Sequence, residues 1–256
     1  MNRRTYIAKL FNTTALLGLI AFSPSSFAWD WNWGWGANTV KGSGIVKTES
    51  RNVSGFSSIA VSIPANVTIV QGDAEGVVLE ADDNILPLLE TVIEDRALQI
   101  RFREKNQSVK TSTLKLTINA KSVEGISVAG SGAVHAAILR SPTLKARISG
   151  SGDMNIGNLE ADSLIVSVAG SGNFAASGKA KNVEVRIAGS GDLKIGKLEA
   201  NTVKVSVAGS GDATVWAKET LNVSVAGSGD VKYYGDANVS QSVAGSGSVK
   251  RLGAAP

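Results

Sequence analysis

The sequence predicts an all-β chain wound as a β-solenoid, a stacked parallel coil with rungs of about 18–20 residues, and three observations carry that prediction. Gly-Ser-Gly recurs seven times at nearly even spacing, beginning at Gly130, Gly150, Gly170, Gly189, Gly209, Gly227 and Gly245. The residues before each motif alternate between apolar and polar with period two, which marks a half-buried strand. Two stretches, Ile156-Gly157-Asn158-Leu159-Glu160-Ala161 and Ile195-Gly196-Lys197-Leu198-Glu199-Ala200, are near copies two repeats apart. One such unit cannot bury its apolar face alone, whereas units stacked in register bury a continuous core.

Taken from the N-terminus, Arg3, Arg4 and Lys9 precede an apolar stretch from Leu10 to Phe22, and Ser26-Phe27-Ala28 follows. This is the layout of a secretory signal peptide, predicted over residues 1–28 with cleavage after Ala28. The stretch is shorter than the roughly 20 apolar residues of a membrane span, and no transmembrane segment is expected after cleavage. Removing residues 1–28 takes away three of the 26 Lys and Arg and none of the 22 Asp and Glu, so 23 minus 22 leaves a net charge of +1. A nearly neutral chain lacks the basic surface on which nucleic-acid binding rests, so nucleic acid is not an expected partner. The chain has no cysteine, so neither a disulfide framework nor a lipid anchor on cysteine is expected.

Residues 29–38 read as a leader or N-terminal cap. Trp29, Trp31, Trp33 and Trp35 are four of the five tryptophans and alternate along the chain, which puts all four rings on one face of an extended segment. From 39 to 122 the repeat is not visible, but residues 58–63, 67–70, 77–80, 98–102 and 114–118 alternate as strands, and residues 85–95 suit a short helix or another strand equally. No linker separates this part from the repeats, so residues 39–253 are expected to form one domain, with irregular rungs over 39–122 and seven regular ones over 123–253.

In the regular rungs, the position two before the first glycine holds Val128, Ile148, Val168, Ile187, Val207, Val225 and Val243. The position four before it holds Ile126, Ala146, Val166, Val185, Val205, Val223 and Gln241, and a polar column of Ser and Arg lies between. A second apolar pair follows the glycines, as in Met154 and Ile156 or Leu193 and Ile195. Glycine suits the corners because it takes positive φ without steric cost. Glu124 and Gln241 replace apolar residues in the first and last units, as expected where terminal rungs meet solvent. A β-propeller blade, about twice as long as this repeat, fits the strongest identity less well. A transmembrane barrel is disfavoured by an outward column of Ser and Arg.

Gly42-Ser43-Gly44, Val53 through Phe56 with Ile59, Val67-Thr68-Ile69-Val70-Gln71-Gly72, Leu98-Gln99-Ile100 and the repeated Val-Ala-Gly-Ser-Gly-Asp together resemble the bacterial head GIN domain family of putative auto-transporter adhesins. The resemblance covers about residues 39–252. It implies a single-stranded, right-handed parallel β-helix on an exported or envelope protein, and it brings no catalytic residue.

Candidate chemistry is sparse. Asp192, Asp212 and Asp230 each follow a Gly-Ser-Gly, so three carboxylates of adjacent rungs are expected on one corner. They form a candidate ligand or calcium ladder, because Ca²⁺ takes six to eight oxygens. The competing reading is that Asp and Asn satisfy turn backbone, and no metal or cofactor is assigned. Serines 131, 151, 171, 190, 210, 228 and 246 read as corner residues, since a nucleophilic serine needs a positioned base and the chain holds a single histidine, His135. The four leader tryptophans are candidate contacts to glycan or envelope, because aromatic rings stack on sugars and settle at membrane interfaces.

The function expected is that of an exported, non-enzymatic binding or scaffold module, periplasmic or at the cell surface, with a glycan, an envelope polymer or another protein as partner. A carbohydrate-active enzyme working with carboxylates alone is the first alternative. A self-associating structural element is the second.

Overall fold

The computed structural model describes residues 39–256. In chain order the strands are β1 (Thr39–Lys41), β2 (Val46–Arg51), β3 (Ser58–Val61), β4 (Asn66–Gln71), β5 (Gly76–Asp82), β6 (Leu89–Glu94), β7 (Ala97–Phe102), β8 (Ser108–Lys110), β9 (Leu114–Ala120) and β10 (Gly125–Gly130). The long strands β11 (Ala133–Gly150), β12 (Asp153–Gly170), β13 (Asn173–Gly189), β14 (Leu193–Gly209) and β15 (Ala213–Gly227) follow, then β16 (Val231–Tyr234), β17 (Asn238–Gly245) and β18 (Val249–Gly253). The stretch 85–95, which the sequence left open between helix and strand, holds both a 3₁₀ turn at Leu86–Leu88 and β6.

From β10 to β18 each rung pairs in parallel with the one before it, giving the parallel β-solenoid that the repeat predicts. The alternation of buried and exposed residues breaks at three places per rung, so each rung has three sides. In β11 the first side turns Val134 and Ala136 inward, the second Leu139 and Ser141, and the third Leu144, Ala146 and Ile148, and all seven are buried. The same columns continue through Met154, Leu193, Val205 and Val225, each at most 1% exposed. In-register stacking is enforced here because a one-residue slip would turn every apolar side chain to solvent.

The last repeats, Gly209 to Gly227 and Gly227 to Gly245, are shorter than the first, and the shortening has a visible cause. Between β14 and β15 the register runs from Lys194↔Thr214 directly to Glu199↔Trp216, so Val215 alone stands against residues 195–198 and the corner between the first two sides is cut away.

Below the regular rungs the chain stacks out of sequence. The third side of β10 rests on β3, and β3 rests on β7, so the rung built from residues 97–120 lies outside the one built from 58–71. Glu124 therefore belongs to an interior rung, which corrects the reading of its unit as terminal. Glu124 is exposed while neighbouring Val123, 1% exposed, enters the core, and the Glu124 N–H donates to Ser57 O at 2.7 Å. Gln241 does lie at the other end, on the fully exposed strand β17.

Antiparallel strands finish the N-terminal end, β6 on β7 and β5 on β9, with β2 outside β5. Ile85, Leu86 and Leu89 close the core there, each at most 5% exposed. Arg51 pins this closure by donating from Nη1 to Leu89 O at 2.9 Å and from Nη2 to Leu86 O at 3.1 Å. Among the described residues the second side has no strand beneath β11, and the Gln71 side chain stands in for one. Its amide oxygen accepts the Arg140 N–H at 2.8 Å, and its amide nitrogen donates to Arg140 O at 3.0 Å.

Candidate functional site

Stacking turns every position of the repeat into a column, and the outward columns make the surface. On the first side the residues after the Gly-Ser-Gly corners form one column in which Asp153, Asn173, Asp192, Asp212, Asp230 and Ser248 succeed one another, so the structure brings Asp192, Asp212 and Asp230 together on adjacent rungs. Their carboxylates are not left facing one another. Asp192 Oδ1 accepts the Asp212 N–H at 3.4 Å, Asp212 Oδ1 accepts the Asp230 N–H at 2.8 Å, and Asp230 Oδ1 accepts the Ser248 N–H at 2.9 Å. The Ser248 hydroxyl adds a bond at 2.8 Å, and these two bonds hold the Asp230 carboxyl below the usual carboxylate range. Each aspartate thus satisfies the backbone of the rung above it, which is the turn chemistry that aspartate and asparagine favour. Among the described residues no group of three or more His, Asp or Glu has a metal-holding arrangement.

Two residues further along, at the next outward position, lies a column of Thr68, His135, Asn155, Ala175, Lys194 and Thr214. It borders a shallow open concavity of about 530 Å³ that also takes in Asn66, Asp153 and Asn173. Its polar rim is made of three amides, one hydroxyl, an imidazole, the Asp153 carboxylate and one Lys. Asn66 and Thr68 come from the early part of the chain, where no repeat is visible, and reach this surface because β4 pairs with Ala133–Ala136 of β11.

The second side carries a ladder of alternating charge that the sequence reading did not identify. Arg140, Glu160, Lys179 and Glu199 occupy one register position on four successive rungs, and Lys218 completes the run. Arg140 Nε stands 2.9 Å from Glu160, and Lys218 Nζ stands 2.8 Å from Glu199. The Lys218 ammonium holds the Glu199 carboxyl below its ordinary range, and Glu199 raises Lys218 in return. A neighbouring pair, Lys181 and Asp162 at 2.7 Å, repeats the opposite-charge contact between adjacent rungs. The signal was present in the sequence as opposite charges at the repeat spacing. These pairs flank a concavity of about 580 Å³, but its charges cancel, so it has no preference for ligands of one sign.

The third side carries mainly serine at its centre. Ser127, Arg147, Ser167, Arg186, Ser206, Ser224 and Ser242 form its central outward column, and Arg186 is engaged by Glu184 at 2.6 Å. The corner serines are exposed, and from Ser151 onward their N–H groups donate to the glycine carbonyls of the preceding rung, as Ser151 does to Gly130 O at 2.9 Å. Trp29, Trp31, Trp33 and Trp35 lie outside the described residues.

The comparisons agree with this geometry. The profile of the family described as putative auto-transporter adhesin, head GIN domain, matches residues 55–237. This chain belongs to that family. Among solved structures, the GIN-domain coil is similar to a putative adhesin from Bacteroides fragilis, with 28% identity over 83% of this chain and 100% of the other and a TM-score of 0.80. It is also similar to a protein from Parabacteroides distasonis described as putative lipid binding, with 23% identity over 84% of this chain and 99% of the other and a TM-score of 0.70. A putative adhesin from Parabacteroides merdae has 22% identity over 84% of this chain and 99% of the other, with a TM-score of 0.68. Among curated proteins there is no significant match.

Proposed function

We propose that this GIN-domain protein is exported by a signal peptide over residues 1–28, cleaved after Ala28, and acts at the cell envelope or surface as a non-enzymatic, adhesin-like binding module for a polar polymer, glycan before protein. The observation that carries this reading is the concavity on the first side, where Asn66, Thr68, His135, Asn155 and Asn173 converge from four successive rungs. Neutral donors and acceptors spaced about 4.8 Å apart along a rigid stack match a ligand that is itself a repeating polar chain. The relative described as lipid binding shares the fold, but the outward columns of this chain are polar, which favours a sugar polymer over a lipid. Trp29, Trp31, Trp33 and Trp35 are proposed to add aromatic contacts to the same polymer.

The test is sedimentation of the purified mature protein with isolated cell envelopes, beside the same envelopes stripped of polysaccharide. Retention that depends on polysaccharide, and that is lost in Asn155→Lys while melting is unchanged, supports the reading. Equal retention on stripped envelopes moves the partner to protein. Deleting residues 29–36 should weaken retention without lowering the melting temperature, and the reverse result makes the tryptophan segment a cap. Mass analysis of the exported protein checks that it begins at Trp29.

A further inference from the structure

The two ends of the coil are finished differently. At the N-terminal end the outermost strands carry charge, Lys47, Glu49 and Arg51 on β2 and Glu90 and Glu94 on β6, which is how proteins keep a strand edge from pairing with another chain. Strand β17 at the other end has the sequence Asn-Val-Ser-Gln-Ser-Val-Ala-Gly, without charge or proline, and is exposed along all eight residues. Among the described residues it pairs with β15 on one side only. Its inward column continues Leu221 and Val225, which are 0% and 1% exposed, but Val239 and Val243 are each 38% exposed because no rung among the described residues covers them. Leu252 on β18 is 42% exposed.

The uncovered edge is a single turn of the coil. It runs through β17, the corner at Gly245 and β18, and Gly253 O meets the Gly235 N–H at 2.9 Å where the turn closes on itself. A helical edge of one turn is laid antiparallel onto its own copy by a two-fold axis across the coil, so two such edges close each other along their whole length. The axis falls near the Gly245 corner and sets β17 of one copy beside β18 of the other. Lys250 then faces a neutral strand, and Arg251 is already engaged by Asp236 and Gly235 O. We propose that two copies of this chain join C-terminal end to C-terminal end through β17 and β18.

Two other occupants fit less well. Residues 29–38 extend at most about 35 Å, whereas β17 lies eight strand spacings, about 38 Å, beyond β7. A single added peptide strand would cover β17 but leave Leu252 and the edge of β18 open.

The chain has no cysteine, so one introduced cysteine carries a spin label at a chosen corner. The mature protein should sediment as a dimer at high concentration, and Val243→Lys should weaken dimerisation at least tenfold with its melting temperature retained. In the dimer, labels at Ser246→Cys should lie within a few strand spacings of each other. Labels at Ser131→Cys, six rungs away, should lie roughly 60 Å apart, about twice six spacings of ~4.8 Å. A monomer at every concentration, a dimer indifferent to Val243→Lys, or a dimer in which the Ser131 labels are the close pair would each overturn the proposal.

Discussion

Gly130 and Gly150 occupy the same position of the same motif, yet their replacement by alanine should differ in cost. Both have positive φ, +97° and +119°, where an L side chain is strained, and that strain amounts to about 1–3 kcal/mol in either variant. A Cβ on Gly130 meets nothing within 4 Å. A Cβ on Gly150 would lie 2.6 Å from Gly130 O, inside the 3.0 Å that such atoms respect, and 3.1 Å from Gly130 Cα. Both obstacles are backbone, so the two corners must separate. Separation lengthens the Ser151 N–H to Gly130 O bond of 2.9 Å and loosens Val128 against Gly152, where even one added carbon would sit 2.7 Å from Val128 Cγ1. Overpacking of this kind costs about 1–3 kcal/mol, so Gly150→Ala should be the more destabilising by about 2 kcal/mol. With a urea slope of about 2 kcal/mol/M, its unfolding midpoint should fall about 1 M below that of Gly130→Ala. Equilibrium urea unfolding of the two variants, followed by circular dichroism, measures the difference. Midpoints that coincide would refute the argument that contact between stacked corners, rather than φ alone, requires glycine.

Three further outcomes are expected. Phe174→Ala empties the largest fully buried side chain, 0% exposed between Met154 and Leu193 of the adjoining rungs, and should cost about 3–5 kcal/mol in the same assay. Glu199→Lys sets three lysines in one ladder at 179, 199 and 218, so the melting temperature should fall in dilute buffer and recover in part with added salt, because exposed charges are screened. Asp230 is held below its unfolded value by Ser248, so its charged form is favoured in the folded state. Its contribution is present above the unfolded pKa and lost as pH falls through the folded one. Thermal melts of wild type and Asp230→Asn should therefore differ near neutral pH and converge in acid.

Much of the site geometry was implicit in the spacing of the repeat. Once the rungs stack in register, Asp192, Asp212 and Asp230 must form a column, and so must Arg140, Glu160, Lys179 and Glu199. The charge ladder was legible as alternating signs at that spacing. The bonding of the aspartates was not, because a bare sequence does not say whether a carboxylate meets a metal or the N–H of the rung above. Asn66 and Thr68 were out of reach for another reason. They join His135 and Asn155 only through the pairing of β4 with β11, two strands far apart in the chain with β5 to β10 between them.

By itself the sequence determined the regular coil, its inward columns and its glycine corners, because each of those depends on a residue and its counterpart one short repeat away. Only the tertiary structure decided how the coil ends. The rung of residues 97–120 lies outside that of 58–71, antiparallel strands seal one end, and among the described residues β17 and β18 leave the other open. The physical reason is that an edge is defined by what fails to pair with it, and strand pairing between distant segments is chosen by the backbone bonds and buried area of the whole stack rather than by any local pattern of side chains.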